Sequence, residues 1–277
     1  MPELPEVETV VRSLSPLLRE RTIESVWTSG LPLHMQKQVD EAALRRLLRA
    51  GRIKAIRRRG KYILIDVHGA KTEAVALVHL GMSGKLRVSK REEPRHIHTH
   101  VVLSLSGADE LRFIDPRRFG QFKVATKEGD LTELAGMGPE PLQDLTEEVL
   151  RDSLATSRAP IKSFLLDQRR VAGLGNIYVS EALFEAKIHP ATQACKLKRH
   201  ATTLLQAVQL VLNRGLENRG TTLRDYVDGT GFAGSNQFSL KVYGREGEAC
   251  LRCGAKVHRR VDAGRSTFFC ASCQKRR

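Results

Sequence analysis

The chain has 277 residues, enough for about two domains, and its 41% hydrophobic and 28% charged residues exclude a disordered or fibrous protein. Its 46 lysine and arginine residues, against 31 aspartate and glutamate residues, give a formal net charge of +15 and predict a polyanionic partner. The sequence lacks an apolar run of about 18 residues and begins with acidic residues, so we expect a cytoplasmic protein without a membrane partner.

The N-terminal part combines two helix patterns with several strand patterns. The first helix begins at Pro5, and the second spans Glu41–Ala50 between an N-cap at Asp40 and a stop at Gly51. Strands are predicted at Tyr62–Val67, Ala74–His79, Val101–Leu105 and Leu111–Ile114. Short strands at such close spacing predict a β-sandwich flanked by helices.

Residues 136–141, with the sequence GMGPEP, predict a linker, and the periodicity beyond them becomes helical. Helices are predicted at Glu147–Ala155, Pro160–Asp167, Asn176–Ala186 and Lys196–Glu217. The glycine-rich segment 230–237 has lost that pattern and is a candidate lid. We therefore predict an α+β protein with domains at residues 1–135, 142–229 and 230–277.

Four of the five cysteines form two CxxC pairs separated by 16 residues, and their members are Cys250, Cys253, Cys270 and Cys273. This spacing is typical of a zinc ribbon, in which four thiolates hold one structural Zn²⁺. A duplicated redox CxxC is the alternative, but neither pair follows the strand and helix pattern of a thioredoxin. Cys195 has no partner in this pattern and is predicted to be an ordinary thiol.

Positive charge is concentrated in two segments. Residues 51–61 hold six basic residues and no acid, while residues 241–277 hold ten basic and three acidic residues. Arg158 adds a basic residue just before a predicted helix. Such clusters bind phosphates by releasing counterions and do not read base sequence. Together with the zinc ribbon they predict nucleic-acid binding, and a solvated charged face is the alternative.

The turn at residues 173–176, with the sequence GLGN, leads directly into a predicted helix. Free backbone N–H groups and the positive end of the helix dipole make such a turn a site for an anion. An ordinary helix start with Asn176 as N-cap is the alternative. Given the charge of the chain, we favour a phosphate contact at Asn176.

The second residue is Pro2, and a small residue at this position normally permits removal of Met1. The protein would then begin with a secondary amine, and α-amino groups have a pKa of about 8. Such an amine can attack an electrophilic carbon and form an iminium intermediate, with Glu3 as an adjacent proton donor or acceptor. The alternative is that Pro5 and Glu6 simply start a helix.

Five motifs occur in one order along the whole chain. They are MPELPEVETV (1–10), HLGMSGKL (79–86), DPRRFG (115–120), VAGLGNIYVSEALF (171–184) and the CxxC pairs. This order resembles the bacterial formamidopyrimidine-DNA glycosylase family, and Leu4 in PELPE resembles this branch rather than the endonuclease VIII branch, which usually reads PEGP. The resemblance implies an N-terminal β-sandwich flanked by helices, a helix-two-turn-helix domain and a C-terminal zinc ribbon.

The resemblance also implies a monomeric base-excision-repair enzyme that removes oxidised purines, 8-oxoguanine and formamidopyrimidines, from double-stranded DNA. Pro2 would attack C1′ of the damaged nucleotide, and Glu3 would assist opening of the sugar. Lys61 would contact phosphate and assist proton transfer, or alternatively anchor the backbone only. Arg265 would bind phosphate in the final step. Base excision would then be followed by strand cleavage through β- and δ-elimination.

An enzyme that flips a base out of the helix must fill the resulting hole. The resemblance assigns this role to Met82, Arg117 and Phe119; the alternatives are core burial of Met82 and Phe119, and pairing of Arg117 with Asp115. It further implies DNA contacts by His96, Arg118, Arg158 and Asn176, and a wall of the damage pocket at Glu6; a structural role is the alternative for Arg118. The HxHxH run at residues 96–100 lacks a nearby acidic ligand, so no metal is predicted there.

Two other functions stay open from the sequence. One is excision of oxidised pyrimidines, the specificity of the endonuclease VIII branch, against which Met82, Arg117 and Phe119 argue. The other is a non-enzymatic zinc-ribbon protein that only binds damaged DNA. For either enzyme we expect a cytoplasmic protein that associates with the nucleoid when bound to DNA.

Overall fold

The computed structural model describes residues 1–34, 37–69 and 72–276, and Arg277, the end of the basic C-terminal segment, lies outside them. The chain divides into two compact units. The first comprises Met1–Ala135 and Asn218–Ser235, and the second comprises Gly136–Glu217 and Asn236–Arg277. A segment that follows the helices of the second unit in sequence therefore packs with the N-terminal part of the chain.

Two helices flank the sheets of the first unit: α1 (Leu4–Leu18) and α2 (Glu41–Leu48). Pro5 stands in the first turn of α1, where the missing N–H of proline costs no helical hydrogen bond. The side chain of Asp40 caps α2 by accepting the N–H of Ala43 at 2.8 Å. The two predicted helices and the N-cap at Asp40 are confirmed.

Two four-stranded antiparallel sheets make up most of the first unit. One has the order β1 (Ile23–Thr28), β6 (Thr99–Leu105), β7 (Asp109–Ile114), β5 (Lys85–Lys90). The other has the order β2 (Arg52–Arg59), β3 (Tyr62–His68), β4 (Glu73–His79), β8 (Gln121–Ala125). The four predicted strands are β3, β4, β6 and β7, each extended by one or two residues.

The apolar faces of these sheets meet in one core. Ile63 and Val78 from one sheet, Val101 and Leu103 from the other, and Leu14 from α1 belong to a single cluster of buried side chains. Full burial of a side chain of this size contributes about 1.5–3 kcal/mol. The predicted β-sandwich flanked by helices is confirmed.

Among the described residues of the second unit, the regular elements are helices and one hairpin. Its helices are α3 (Glu147–Ala155), α4 (Ile161–Leu166), α5 (Asn176–Glu185) and α6 (Ala201–Glu217). A 3-10 helix at Ala194–His200 replaces the first turn predicted for α6, a common arrangement at the start of a helix. Within the described residues, no helix is long and apolar enough to cross a bilayer.

The hairpin near the C-terminus consists of β9 (His258–Asp262) and β10 (Arg265–Phe269), paired antiparallel. Its turn residues, Ala263 and Gly264, have φ values of +47° and +73°. Two positive φ values in succession are typical of the tight turn that matches the twist of a hairpin. This turn sets Arg265 at the exposed start of β10.

Candidate functional site

The N-terminal residues lie at the buried start of α1. Pro2 is buried, and the residues Glu3 and Glu6 are only 3% and 1% exposed. The Glu6 carboxylate accepts the backbone N–H of Glu3 at 2.8 Å and that of Thr221 at 2.6 Å. The hydroxyl of Tyr226 donates to the backbone carbonyl of Glu6 at 3.2 Å. The backbone next to Pro2 is therefore fixed by contacts on two sides.

Lys61 lies in the turn between β2 and β3, directly after Gly60, whose φ is +56°. The residue is 7% exposed. Near the end of β2, the guanidinium of Arg58 donates to the carbonyl of Gly60 and to the carboxylate of Glu8 in α1, each at 3.0 Å. These bonds connect the turn that carries Lys61 to the helix that begins next to Pro2.

His79, at the end of β4, is a neutral imidazole at pH 7. Burial, followed by the positive charges of Lys61 and His34, lowers the pKa of His79 to about 4. Its Nδ1 accepts the N–H of Gly81 at 3.2 Å, a bond that a doubly protonated ring could not accept. The neutral ring thereby supports the turn that carries Met82.

The three side chains predicted to fill the hole in DNA all point outward. Met82 and Phe119 are 44% and 46% exposed, so neither is a core residue. The guanidinium of Arg117 lies 4.7 Å from the centre of the Phe119 ring, and the backbone N–H of Arg117, rather than its side chain, contacts the Asp115 carboxylate. Arg118 is exposed in the same turn, with a φ of +55°.

The three histidines of the HxHxH run have different surroundings. His96 is exposed, with its ring centre 5.4 Å from that of His98. His100 is buried, and its Nε2 lies 3.0 Å from the carbonyl oxygen of Asp115. Across the described ranges, the four cysteines of the CxxC pairs are the one cluster of His, Cys, Asp and Glu side chains arranged to hold a metal ion. At the surface, His96 Nδ1 accepts the backbone N–H of His98 at 3.1 Å.

In the second unit, two helices hold the residue next to Arg265. The Asn176 amide and the Lys162 ammonium both donate to the carbonyl oxygen of Ser266, each at 2.8 Å. Lys162 also donates to the hydroxyl of Thr267 at 2.6 Å, and burial lowers its pKa to about 8. Asn176 is the first residue of α5, and Gly175 occupies the N-cap position.

Arg158 is exposed in the segment before α4. It lies in the second unit, as Asn176 and Arg265 do, whereas the other predicted contact residues and Pro2 lie in the first. Each unit therefore carries its own set of predicted DNA contacts.

The four cysteine sulfurs lie within 4.8 Å of one another. The Sγ atoms of Cys250 and Cys273 are 3.9 Å apart, and those of Cys253 and Cys270 are 3.5 Å apart. A tetrahedral zinc site with Zn–S bonds of about 2.3 Å requires sulfurs separated by about 3.8 Å. A disulfide requires about 2.05 Å. The convergence of all four sulfurs fits one four-thiolate zinc ion, whereas two independent redox CxxC motifs do not require the two pairs to meet.

Three family models match the chain in succession. Residues 1–122 match the N-terminal domain of formamidopyrimidine-DNA glycosylase, residues 137–227 match its H2TH domain, and residues 247–276 match a zinc finger found in FPG and IleRS. The chain belongs to the formamidopyrimidine-DNA glycosylase family. It is a DNA glycosylase of base excision repair with one structural zinc site, so the predicted family is confirmed and the non-enzymatic alternative is set aside.

Relatives in the family are similar over nearly the whole chain. A formamidopyrimidine-DNA glycosylase of Desulforamulus reducens is 46% identical over 99% of both chains, and one of Moorella thermoacetica is 46% identical over 94% of both. A Lactococcus lactis FPG mutant solved with a Fapy-dG containing DNA superimposes with a TM-score of 0.90 at 34% identity, covering 99% of this chain and 100% of that one. The wild-type L. lactis protein was also solved with an oxidised pyrimidine containing DNA, with a TM-score of 0.89 at 33% identity and the same coverage.

Several residues that support this glycosylase site carry no clear mark in the sequence. His79 opens the HLGMSG motif, which is its only signal. Lys162 belongs to the basic start of α4, a pattern that favours an exposed phosphate contact, but it is 3% exposed. Asp228 accepts the N–H groups of Thr230 and Phe232 at 2.9 and 3.0 Å, and so shapes the start of the segment predicted as a lid.

Proposed function

We propose that this protein excises oxidised purines from duplex DNA as a monomer, with Pro2 as the nucleophile, and then cleaves the strand. The proposal depends on one observation above all: Pro2 and Glu3 precede α1 at a buried position where the Glu6 carboxylate holds the backbone at 2.8 and 2.6 Å. A nucleophile held in one place gains rate because little orientational entropy is lost in the reaction.

The reaction begins at C1′ of the damaged nucleotide. The uncharged amine of Pro2 forms a bond to C1′ as the glycosidic bond breaks and its electron pair leaves with the base. The proline nitrogen then loses its proton, which balances the proton that the base takes up. Glu3 donates a proton to the sugar ring oxygen, and the ring opens to give the iminium ion. The amine is available only after removal of Met1, because an amide nitrogen is not nucleophilic.

Strand cleavage follows from the iminium ion. Loss of a proton from C2′ expels the 3′ phosphate, and a second elimination expels the 5′ phosphate, so that a one-nucleotide gap remains. We assign phosphate binding and proton transfer at these steps to Lys61 and Arg265. The position of Arg265 beside Ser266, whose carbonyl is held at 2.8 Å by both Asn176 and Lys162, supports a fixed role for this arginine.

DNA binding is assigned to side chains that the fold leaves exposed or half-buried. Met82, Arg117 and Phe119 would fill the hole left by the extruded base, a role suited to a flexible thioether, a hydrogen-bonding guanidinium and an aromatic ring. His96, Arg118, Arg158 and Asn176 would contact the DNA backbone, and Glu6 would form part of the damage pocket. The net charge of +15 favours these contacts, because the DNA backbone is a polyanion.

Zinc would serve the structure only. Four thiolates fill a tetrahedral ion, so no position stays open for a substrate oxygen or water. Bound by Cys250, Cys253, Cys270 and Cys273, the ion would cross-link the ends of the segment that contains β9 and β10. Arg265 is then presented on a hairpin that the metal stabilises.

We assign three functional parts to the chain: a catalytic β-sandwich at residues 1–135, a helix-two-turn-helix part at 142–229, and the lid segment with the zinc ribbon at 230–277. The two compact units follow packing, whereas this division follows the motifs. We place the protein in the cytoplasm, associated with the nucleoid while it is bound to DNA.

Borohydride trapping tests the proposal. Protein whose Pro2 terminus has been verified by mass spectrometry is mixed with a duplex that contains 8-oxoguanine opposite cytosine, and the iminium ion is reduced to a stable protein–DNA adduct. We expect an adduct whose DNA-linked peptide begins at Pro2. A lesion duplex that yields neither adduct nor strand cleavage would refute the proposed mechanism.

Oxidised pyrimidines are a second candidate substrate class, because a relative was solved with an oxidised pyrimidine containing DNA. Excision of 8-oxoguanine and of thymine glycol is compared in the same duplex and under single-turnover conditions. We expect the purine lesion to react faster. Faster excision of thymine glycol would assign the protein the other specificity without changing the role of Pro2.

A further inference from the structure

Two turns of the first unit lie back to back. One follows β4 and carries Met82; the other follows β7 and carries Arg117 and Phe119. Gly81, in the first turn, has a φ of +62°, and a Cβ atom built on it would lie 2.6 Å from the carbonyl carbon of Phe119. The backbones are in direct contact, so one turn cannot shift without the other.

Asp115 stands at the centre of this contact and is fully buried. Its Oδ1 accepts the hydroxyl of Ser83 at 2.6 Å and the backbone N–H of Arg117 at 3.2 Å. Its Oδ2 accepts the backbone N–H of Gly120 at 2.7 Å. One carboxylate therefore bonds to the turn of Met82 through Ser83 and to both ends of the turn that carries Arg117 and Phe119.

A second layer of bonds holds Asp115 itself. Its backbone N–H donates to the carbonyl of His98 at 2.9 Å, and its carbonyl oxygen lies 3.0 Å from His100 Nε2. Burial lowers the pKa of His100, so the ring is neutral and Nε2–H can donate to this carbonyl, while Nδ1 lies 3.0 Å from the hydroxyl of Ser29. The polar network is continuous from β6 to both turns.

We propose that Ser83 and Asp115 are positioning residues that lock the two turns into one rigid support for Met82, Arg117 and Phe119 before DNA is bound. This inference depends on the proposed void-filling role of those three side chains. A buried carboxylate with several hydrogen-bond donors rigidifies its surroundings, because each unmade bond is costly. Side chains that are already in place lose less entropy when they enter the duplex.

Two substitutions break the link to different degrees. Ser83→Ala removes the hydroxyl that donates to Asp115 Oδ1 at 2.6 Å and accepts the backbone N–H of Arg117 at 3.3 Å, and it leaves the backbone free to keep its shape. Asp115→Asn replaces one acceptor oxygen by an NH₂ group, so that two donors face each other at the backbone N–H of Arg117 or of Gly120. Asp109→Asn is the matched control, since Asp109 begins the strand that Asp115 follows and contacts Arg21 and Lys90 at 2.9 and 2.8 Å, at the opposite end of β7 from the two turns.

Three measurements separate positioning from chemistry. The first is excision of 8-oxoguanine from a duplex, which requires a filled hole. The second is cleavage of a single-stranded oligonucleotide with a preformed abasic site, which requires only the Pro2 chemistry. The third is the fluorescence of 2-aminopurine placed beside the lesion, which reports extrusion of the base in real time. Thermal denaturation checks that each variant is folded.

We expect Ser83→Ala and Asp115→Asn to slow extrusion and duplex excision by about tenfold, within the range for a misplaced group away from the chemistry. Single-stranded abasic cleavage should stay within about twofold of the native rate, and Asp109→Asn should match the native protein in every assay.

If Asp115→Asn does not fold, Ser83→Ala decides alone. Equal losses on both substrates, or no loss on the duplex, would overturn the inference. Failure of the native protein to excise or trap any lesion would instead overturn the proposed function.

Discussion

The carboxylate of Glu6 lies 2.8 Å from the backbone nitrogen of Glu3, inside the first turn of α1. Its second oxygen lies 2.6 Å from the backbone nitrogen of Thr221, which is 215 residues away in the sequence. One side chain thus accepts two buried N–H groups, one next to the proposed nucleophile and one at the start of the segment that leads to the candidate lid. Both bonds require an acceptor oxygen.

Glu6→Gln should weaken both the fold and the reaction. Glutamine offers one oxygen and one NH₂ group to two N–H donors, so one of them loses its acceptor, at a cost of about 1–3 kcal/mol. We expect a lower melting temperature and slower excision of 8-oxoguanine, measured by calorimetry and single-turnover kinetics. Glu20→Gln is the control, because Glu20 is an exposed carboxylate paired with Arg52 at 2.6 Å and its loss should change stability by no more than about 0.5 kcal/mol. Equal effects of the two substitutions on melting temperature and excision rate would show that the two bonds to Glu6 contribute no more than an exposed ion pair.

Glu3→Gln should separate base excision from strand cleavage. In a nucleotide that carries its base, the closed sugar ring opens only with the proton from Glu3 that completes displacement of the base, whereas an abasic sugar already equilibrates with its open aldehyde. We expect excision of 8-oxoguanine to fall by at least about 100-fold, the usual value of a lost general acid. Borohydride trapping on a preformed abasic site should persist. A parallel loss on both substrates would assign Glu3 to the nucleophilic step instead.

How far the sequence specified the fold depended on how local the signal was. Helix α3 matches its predicted bounds because Thr146 caps it, accepting the N–H of Val149 at 3.3 Å. Strand β2 is not predicted from the sequence, because the run RIKAIRRR buries only Ile53 and Ile56 and resembles a charge cluster. Basic side chains on the open face of a sheet leave little of the alternation by which strands are recognised.

The site shows the same division between local and long-range signals. Pro2, Lys61 and the cysteines stand in motifs that can be found without a structure. The bond from Glu6 to Thr221 and the contact of Gly81 with Phe119 join segments that are far apart in sequence. The sequence pattern of each segment does not predict which other segment it contacts. Motifs therefore supplied candidate residues, and only the fold supplied the groups that hold them in place.

Removal of one zinc ligand should release the hairpin of β9 and β10. Binding of structural zinc contributes about 10–16 kcal/mol in small zinc modules, far more than a two-stranded hairpin can supply alone. We expect Cys253→Ala to lose zinc and to bind lesion DNA more weakly, with a smaller dependence on salt because the phosphate contact of Arg265 is lost. Metal content by mass spectrometry and binding titrations at several salt concentrations measure both effects.

Cys195→Ala is the matched control for the zinc experiment, since Cys195 lies outside the four-sulfur cluster and is partly exposed. It should retain one zinc per chain and the native salt dependence. Arg265→Ala should reproduce the smaller salt dependence with zinc still bound. A Cys253→Ala protein that keeps one zinc ion per chain would contradict the four-thiolate assignment.

His79→Asn should change how stability depends on acidity. Burial first, and then the charges of Lys61 and His34, lower the pKa of His79 from its ordinary value of 6.5 to about 4 in the folded protein. Between these two values the unfolded chain binds a proton that the folded protein does not, so the native state loses about 1.4 kcal/mol per pH unit as the solution is acidified. Asparagine retains an acceptor oxygen for the N–H of Gly81 and does not titrate. The variant should therefore lose less stability over the same interval.

Urea denaturation of the native protein and of His79→Asn from pH 4 to pH 8 measures this contribution as a difference between two curves. Above about pH 7 the ring is neutral in both states, so the difference in the free energy of unfolding should be constant there and serves as the internal reference. Below about pH 6.5 the two curves should converge or cross as the native protein loses stability faster. Parallel curves down to pH 4 would show that His79 titrates alike in the folded and unfolded chains, and that its neutral form is not what supports the Met82 turn.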